Sequence, residues 1–185
     1  VNRIPFENPL NHENYLKMAD YISDVSLQIL PSEEIDIIAY GCTSGTIAIG
    51  SDRIKEEVNK TKPKAKVTTP ITAALKAFKY LGLKNIAVLT PYPKDVNATV
   101  YDYLINHNIG VETFSSFNLE YDSEIAQVSL ESLEKEISKI DLSNVDGLFV
   151  SCTALKIVDV LDRVESSQNT IVISSNQAII WDCLR

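Results

Sequence analysis

Two cysteine-threonine pairs stand in matching surroundings. Asp36-Ile-Ile-Ala-Tyr-Gly-Cys42-Thr43 parallels Asp146-Gly-Leu-Phe-Val-Ser-Cys152-Thr153, with an acidic residue six positions before each thiol, then an apolar run, one small residue, Cys and Thr. A lone cysteine after a buried strand is ordinarily a small core residue. Two at equivalent places of an internal repeat read as a functional pair. Facing thiols suit one task in particular: a thiolate takes a proton from a carbon beside a carboxylate and the other thiol returns one to the opposite face. Alternatively, one thiolate adds to an activated double bond while the other thiol handles the proton.

The residues around the thiols suit an anion. Thr43-Ser44-Gly45-Thr46 combines hydroxyls with a permissive glycine at an expected helix start, which is material for a nest that holds a carboxylate or stabilises an enediolate. A thiol at such a place feels the positive end of the helix dipole, so its thiolate is expected to be favoured. Further candidates lie at strand ends. In Thr90-Pro91-Tyr92-Pro93, the prolines fix a turn, and the Tyr92 hydroxyl and the Asn97 amide are expected over the substrate. Thr153 follows the second thiol, and Ser175 and Asn176 follow the last strand-like run. Cys183 has no repeat partner and reads as packing.

Other chemistries lack support. His12 and His107 fall at helix ends rather than strand ends, which disfavours a Cys-His or Ser-His-Asp arrangement. No metal-ligand cluster is visible, and no glycine-rich phosphate loop, so no metal and no cofactor are expected. Net charge is −8, which offers no footprint for nucleic acid or an anionic membrane. No apolar run is long enough to span a bilayer. Three unpaired, widely spaced cysteines point to a reducing, cytoplasmic setting. A small carboxylate is the expected partner, with self-association into a homo-oligomer left open.

The elements that must position these residues follow from hydrophobic pattern. Strand-like runs fall at 36–40, 66–69, 85–90, 111–117, 147–150 and 170–174, several of them continuously apolar, as suits a parallel sheet buried on both faces. Helical stripes lie between, among them one from near Glu13 to Leu30 and one over Ile71–Leu81 that stops at Gly82. Such alternation implies βαβ crossovers and a doubly wound α/β fold. The repeat, with copies 106 to 110 residues apart, predicts two pseudo-symmetric parallel-sheet subdomains, residues 1–82 with Cys42 and residues 83–185 with Cys152. The active site is expected in the cleft between them, and the terminal strand and helix are expected to pack across the boundary. The second copy is preceded by two strands and a helix that the first copy lacks in part, so an N-terminal strand is expected to be missing. The chain opens on Val1, has its only Met at position 18 and closes in a helical pattern, so both ends are expected to be trimmed.

These residues carry a resemblance. Arg3-Ile-Pro-Phe-Glu-Asn-Pro9, Gly41-Cys-Thr-Ser-Gly-Thr46, Thr90-Pro-Tyr-Pro93 with Val96-Asn97, Ser151-Cys-Thr-Ala154 and Ser175-Asn-Gln-Ala178 followed by Trp181 span nearly the whole chain. In that order they resemble the aspartate/glutamate racemase superfamily. The likeness is closest to its branch of maleate cis–trans isomerases, arylmalonate decarboxylases and ectoine-utilisation proteins. The resemblance implies two α/β subdomains whose cysteine positions face each other across a cleft, and cofactor-free catalysis. It also implies that decarboxylases keep one catalytic cysteine, at the position of Cys152, whereas isomerases and racemases keep both. The racemases proper carry Cys-Asn-Thr where this chain has Cys42-Thr43-Ser44. Isomerisation of a small carboxylate or dicarboxylate is the leading expectation. An arylmalonate-type decarboxylase using Cys152 alone, and a non-catalytic carboxylate binder, are the alternatives.

Overall fold

The computed structural model describes residues 1–185. The first half contains α1 (His12–Lys17), a 3₁₀ turn (Met18–Tyr21), α2 (Ile22–Leu27), β1 (Ile37–Ala39), α3 (Thr43–Ile49), α4 (Ser51–Asn59), β2 (Lys66–Thr68) and α5 (Pro70–Leu81). The second half contains β3 (Asn85–Thr90), α6 (Lys94–Asn106), β4 (Gly110–Ser116), α7 (Asp122–Ala126), α8 (Leu130–Ile137), β5 (Gly147–Val150), a 3₁₀ turn (Ile157–Val160), α9 (Leu161–Gln168), β6 (Ile171–Ser174) and α10 (Ser175–Cys183). All six expected strands form within a residue or two of their expected bounds.

The strands make two parallel sheets, one of β1-β2 and one ordered β4-β3-β5-β6. The strand order reverses between β3 and β5, and ligands of open α/β sheets sit at the carboxyl ends beside such a switch point. There the pairing of Leu89 with Val150 brings the loops after Thr90 and after Val150 side by side. β5 is bonded on both edges, but β1, its repeat counterpart, is bonded on one only.

The expected single helix from Glu13 to Leu30 is broken. A tighter 3₁₀ turn over Met18–Tyr21 separates α1 from α2, and the chain leaves α2 through Leu30 and Ser32, both at positive φ. The stripe of Tyr15, Met18 and Ile22 still faces inward, because the break keeps all three buried. α5 begins with Pro70 after the Thr69 cap and ends at Gly82, whose φ of 74° is the left-handed cap that glycine adopts freely.

One contiguous core joins the halves. Phe78 of α5 meets Phe149 of β5 edge-to-face, with ring centroids 5.3 Å apart. α10 follows β6 of the second sheet yet packs along α5. Its Asp182 accepts from Thr68 at 2.5 Å and pairs with Lys76 at 2.7 Å. No helix is long and apolar enough to cross a membrane.

Candidate active site

Cys42 caps the N-terminus of α3, and its sulfur accepts the Gly45 N–H at 3.3 Å. A side chain at position 45 would meet that sulfur, since a Cβ there would lie 2.9 Å from it and 2.7 Å from the Tyr40 hydroxyl oxygen. Glycine is therefore what lets the first turn of α3 close on the thiol. Thr46 fixes the same turn by donating to the Cys42 carbonyl at 2.6 Å. Ser44 Oγ lies 3.9 Å from the Cys42 sulfur.

Cys152 is held differently from the expectation. No α-helix starts at Thr153. A turn and the 3₁₀ segment intervene before α9, so the helix-dipole argument does not apply to this thiol. Instead Cys152 has a φ of 112°, a conformation L residues rarely adopt and one that costs of order 1–3 kcal/mol. Neighbours hold it there. Its N–H donates to Ser175 Oγ at 3.0 Å, and the Ala154 N–H points at its sulfur at 3.4 Å.

Both thiols line one cavity of about 1010 Å³, together with Thr43, Ser44, Tyr92 and Thr153. Ile38 and Ala39 of β1 and the apolar side chains of Ile22, Val25 and Val58 line the same cavity. Cys42 and Cys152 are close enough for charge on the first to raise the pKa of the second. The expected favouring of the thiolates is overturned. Burial pushes Cys42 up, against the Gly45 N–H and the Ser44 hydroxyl, and burial pushes Cys152 up to about 12, against the Ala154 N–H and the Tyr92 hydroxyl. Desolvation of a charge outweighs two weak donors. Both groups are therefore thiols at neutral pH.

The remaining expected site residues stand one layer back and do not line the cavity. The Asn97 amide does not lie over the site. It donates to the Tyr92 carbonyl at 2.7 Å, and its oxygen accepts from Thr90. This bracing, with Ser116 also donating to the Tyr92 carbonyl at 2.8 Å, aims the Tyr92 ring at Cys152. Pro91 is buried in the same turn. Asn176 donates to the Thr153 carbonyl at 3.1 Å, while the Thr153 hydroxyl crosses to the other half and donates to the Gly41 carbonyl at 2.7 Å. Ser175 is wholly buried behind Thr43 and Cys152.

Two residues were not anticipated. Tyr15 of α1 is buried at the cavity wall with its ring stacked on Phe6 at 5.3 Å, and its hydroxyl lies near Ser44. In sequence it was one more apolar member of a helical stripe. Asp122, at the start of α7, is an exposed carboxylate at the cavity rim whose charge reaches both thiols. No local pattern marks it. Arg3 lines the same cavity, and no other basic residue does. No group of His, Cys, Asp and Glu side chains is arranged to hold a metal ion.

Fold and site thus define a two-sheet α/β protein with one cysteine from each half on a shared cavity. The chain belongs to the arylmalonate decarboxylase family, which matches residues 9–185. It is similar to the maleate isomerase of Alcaligenes faecalis, with 23% identity over 174 residues that cover 90% of this chain and 68% of that one. It is also similar to the arylmalonate decarboxylase of Bordetella bronchiseptica, with 28% identity over 126 residues, 64% of this chain and 50% of the other. Its fold matches that of a Nocardia farcinica maleate cis-trans isomerase mutant bearing a covalently bound succinylcysteine intermediate. That match has a TM-score of 0.88 and 18% identity, and it covers 96% of this chain and 76% of that one.

Proposed function

We propose that the protein is a cofactor-independent isomerase of a small carboxylate or dicarboxylate, of the maleate isomerase type, that works through Cys42 and Cys152. The observation that carries this reading is the presence of both thiols, one from each half, on a single cavity. A decarboxylase needs only one proton donor, at Cys152. A cysteine at position 42, capped by its own helix turn, is superfluous to that reaction and necessary for isomerisation.

The environments of the two thiols support a division of roles. Cys42 sits on the first turn of α3, where the Gly45 N–H and the dipole stabilise negative charge, so it is the attacking thiolate once its proton has passed to solvent. Cys152, pushed up to about 12, stays protonated and is the acid. Cys42 sulfur adds to one alkene carbon of a maleate-like diacid. A carbon–sulfur bond forms, and the π electrons move toward the carboxylate on the neighbouring carbon. Cys152 protonates that carbon to give a thioether. Rotation about the new single bond is followed by the reverse steps: the proton returns to Cys152, the carbon–sulfur bond breaks and the trans alkene leaves. Hydroxyls of Thr43 and Ser44 face the carboxylate and stabilise the developing enediolate. The succinylcysteine of the Nocardia farcinica relative is a species of this kind.

A panel of maleate, substituted malonates and α-substituted acids, followed by NMR in deuterated water, tests the proposal. Fumarate-type product from a cis diacid is expected, with turnover reduced by on the order of a hundredfold or more in Cys42→Ala and Cys152→Ala alike. Carbon dioxide release at near-parent rate by Cys42→Ala overturns it in favour of a decarboxylase.

A further inference from the structure

Ser175 occupies the first position of α10 and is inaccessible to solvent, yet its hydroxyl touches both thiol loops. It accepts the Cys152 N–H at 3.0 Å and lies 3.0 Å from Thr43 Oγ1. A hydroxyl has one proton to give. The lone pair facing Cys152 is occupied, and Thr43 Oγ1 is the one acceptor bonded to Ser175. The opposite polarity, Thr43 donating to Ser175, strands the Ser175 proton in a space closed to water. The forward polarity leaves the Thr43 proton instead, and Thr43, though only 1% exposed, is one of the residues on the cavity, so a ligand there can accept that proton where none can reach Ser175.

We infer that Ser175 is a positioning residue that, by donating to Thr43, fixes the Thr43 hydroxyl as a donor into the cavity and thereby locates the ligand carboxylate on the Thr43 side. A carboxylate is an acceptor only and matches such a donor. The repeat makes the arrangement one-sided. The corresponding first helical position in the other half is Pro70, which has no hydroxyl. The Thr153 proton is already committed to the Gly41 carbonyl. Of the two threonines beside the thiols, only Thr43 has a proton to offer. The inference deepens the proposed function and rests on its carboxylate ligand, though not on any one reaction.

The test compares alkylation of Cys42 and Cys152 by iodoacetate and by iodoacetamide, each thiol followed by mass spectrometry. The two reagents differ in the carboxylate, so the ratio of their rates reads carboxylate recognition at the thiols and cancels general changes of access or thiol pKa. Relative to free cysteine, the parent is expected to favour iodoacetate. Ser175→Ala and Thr43→Val are each expected to lower the ratio about tenfold, the range of a lost hydrogen bond to a charged group. The double variant is expected to fall no further than either single one, because the two residues act in series. Thr153→Val is expected to change the rates of both reagents alike. A parent ratio equal to that of free cysteine, a Ser175→Ala ratio equal to the parent's, or additive losses in the double variant overturns the inference. If Ser175→Ala does not fold, Ser175→Cys keeps the volume with a weaker donor and is expected to give an intermediate ratio; an unchanged ratio there overturns it equally. Failure of every diacid to turn over, with the ratio pattern intact, removes the isomerase reading and leaves this one standing.

Discussion

At the scale of single residues, the two thiols show burial prevailing over local dipoles. Cys42 has the N-terminal turn its sequence implies, and Cys152 has two donors, yet both are pushed up rather than down. The sign has two consequences for Cys152. Its alkylation rate by iodoacetamide is expected to keep climbing with pH beyond the ordinary thiol value of 9.0 and to level only near 12. A plateau near 9.0, measured thiol by thiol, contradicts the desolvated site. The second consequence concerns stability. Below pH 9.0 folded and unfolded chains both hold the proton, so the contribution of the buried thiol is complete. Between 9.0 and about 12 the unfolded chain releases it and the folded chain does not, so stability falls across that window. Urea titrations of the parent and of Cys152→Ala isolate the effect from other groups. The stability of the parent relative to the variant is expected to decline as pH rises through the window, and a constant difference contradicts it.

At the scale of elements, α3 exists in its present form because of Gly45. Gly45→Ala forces a methyl against the Tyr40 hydroxyl and the Cys42 sulfur, and Tyr40 is itself buried with its hydroxyl 3.6 Å from the Met18 sulfur. Tyr40 is not free to retreat, so the thiol, which faces the cavity, must give way. The variant is expected to lose about 1–3 kcal/mol and to lower turnover at least tenfold by displacing the thiol. Gly41→Ala, whose Cβ meets nothing within 4 Å, is expected to melt like the parent. Thermal melts and steady-state rates of the two check this. Gly45 was legible in sequence only as part of a permissive turn; its close approach to sulfur needs coordinates. The strands were legible because runs such as Asn85–Thr90 are apolar on both faces, a pattern few other elements share. The loop after Cys152 was not. A non-glycine residue at a φ of 112° is supported by Ser175 from 23 positions away, and no local pattern encodes such support. The break between α1 and α2 escaped for the opposite reason: the apolar stripe runs through the 3₁₀ turn without interruption.

At the scale of the molecule, the repeat made most of the architecture readable, including two parallel sheets and a thiol loop from each half at one cavity. It could not show how the other residues around that cavity are arranged. Tyr15 reaches Ser44 from α1, Asp122 reaches the rim from α7, and the Asn97 amide turns away to brace Tyr92. Each of these contacts depends on how helices outside the repeat unit pack. The same holds for α10, which leaves the second sheet and lies along α5 of the first half, tied by Asp182 to Thr68 and Lys76. We propose residues 1–82 and 83–185 as the two subdomains, joined so closely by α10 and the shared core that they unfold together. The only tryptophan, Trp181, lies on α10, 5.6 Å from the Tyr80 ring of α5 and 4.5 Å beneath the Arg185 guanidinium. Its fluorescence therefore reports whether α10 stays docked, while far-UV circular dichroism reports all helices at once. The two urea transitions are expected to coincide, the mark of a single cooperative unit. Asp182→Ala removes the tie and strands Thr68, which is buried, without its acceptor, so it is expected to lower both midpoints together, by roughly 1–3 kcal/mol in stability. A fluorescence transition that precedes the dichroism change in the parent means that α10 undocks before the sheets unfold, and the two halves are then independent units that merely share a cavity.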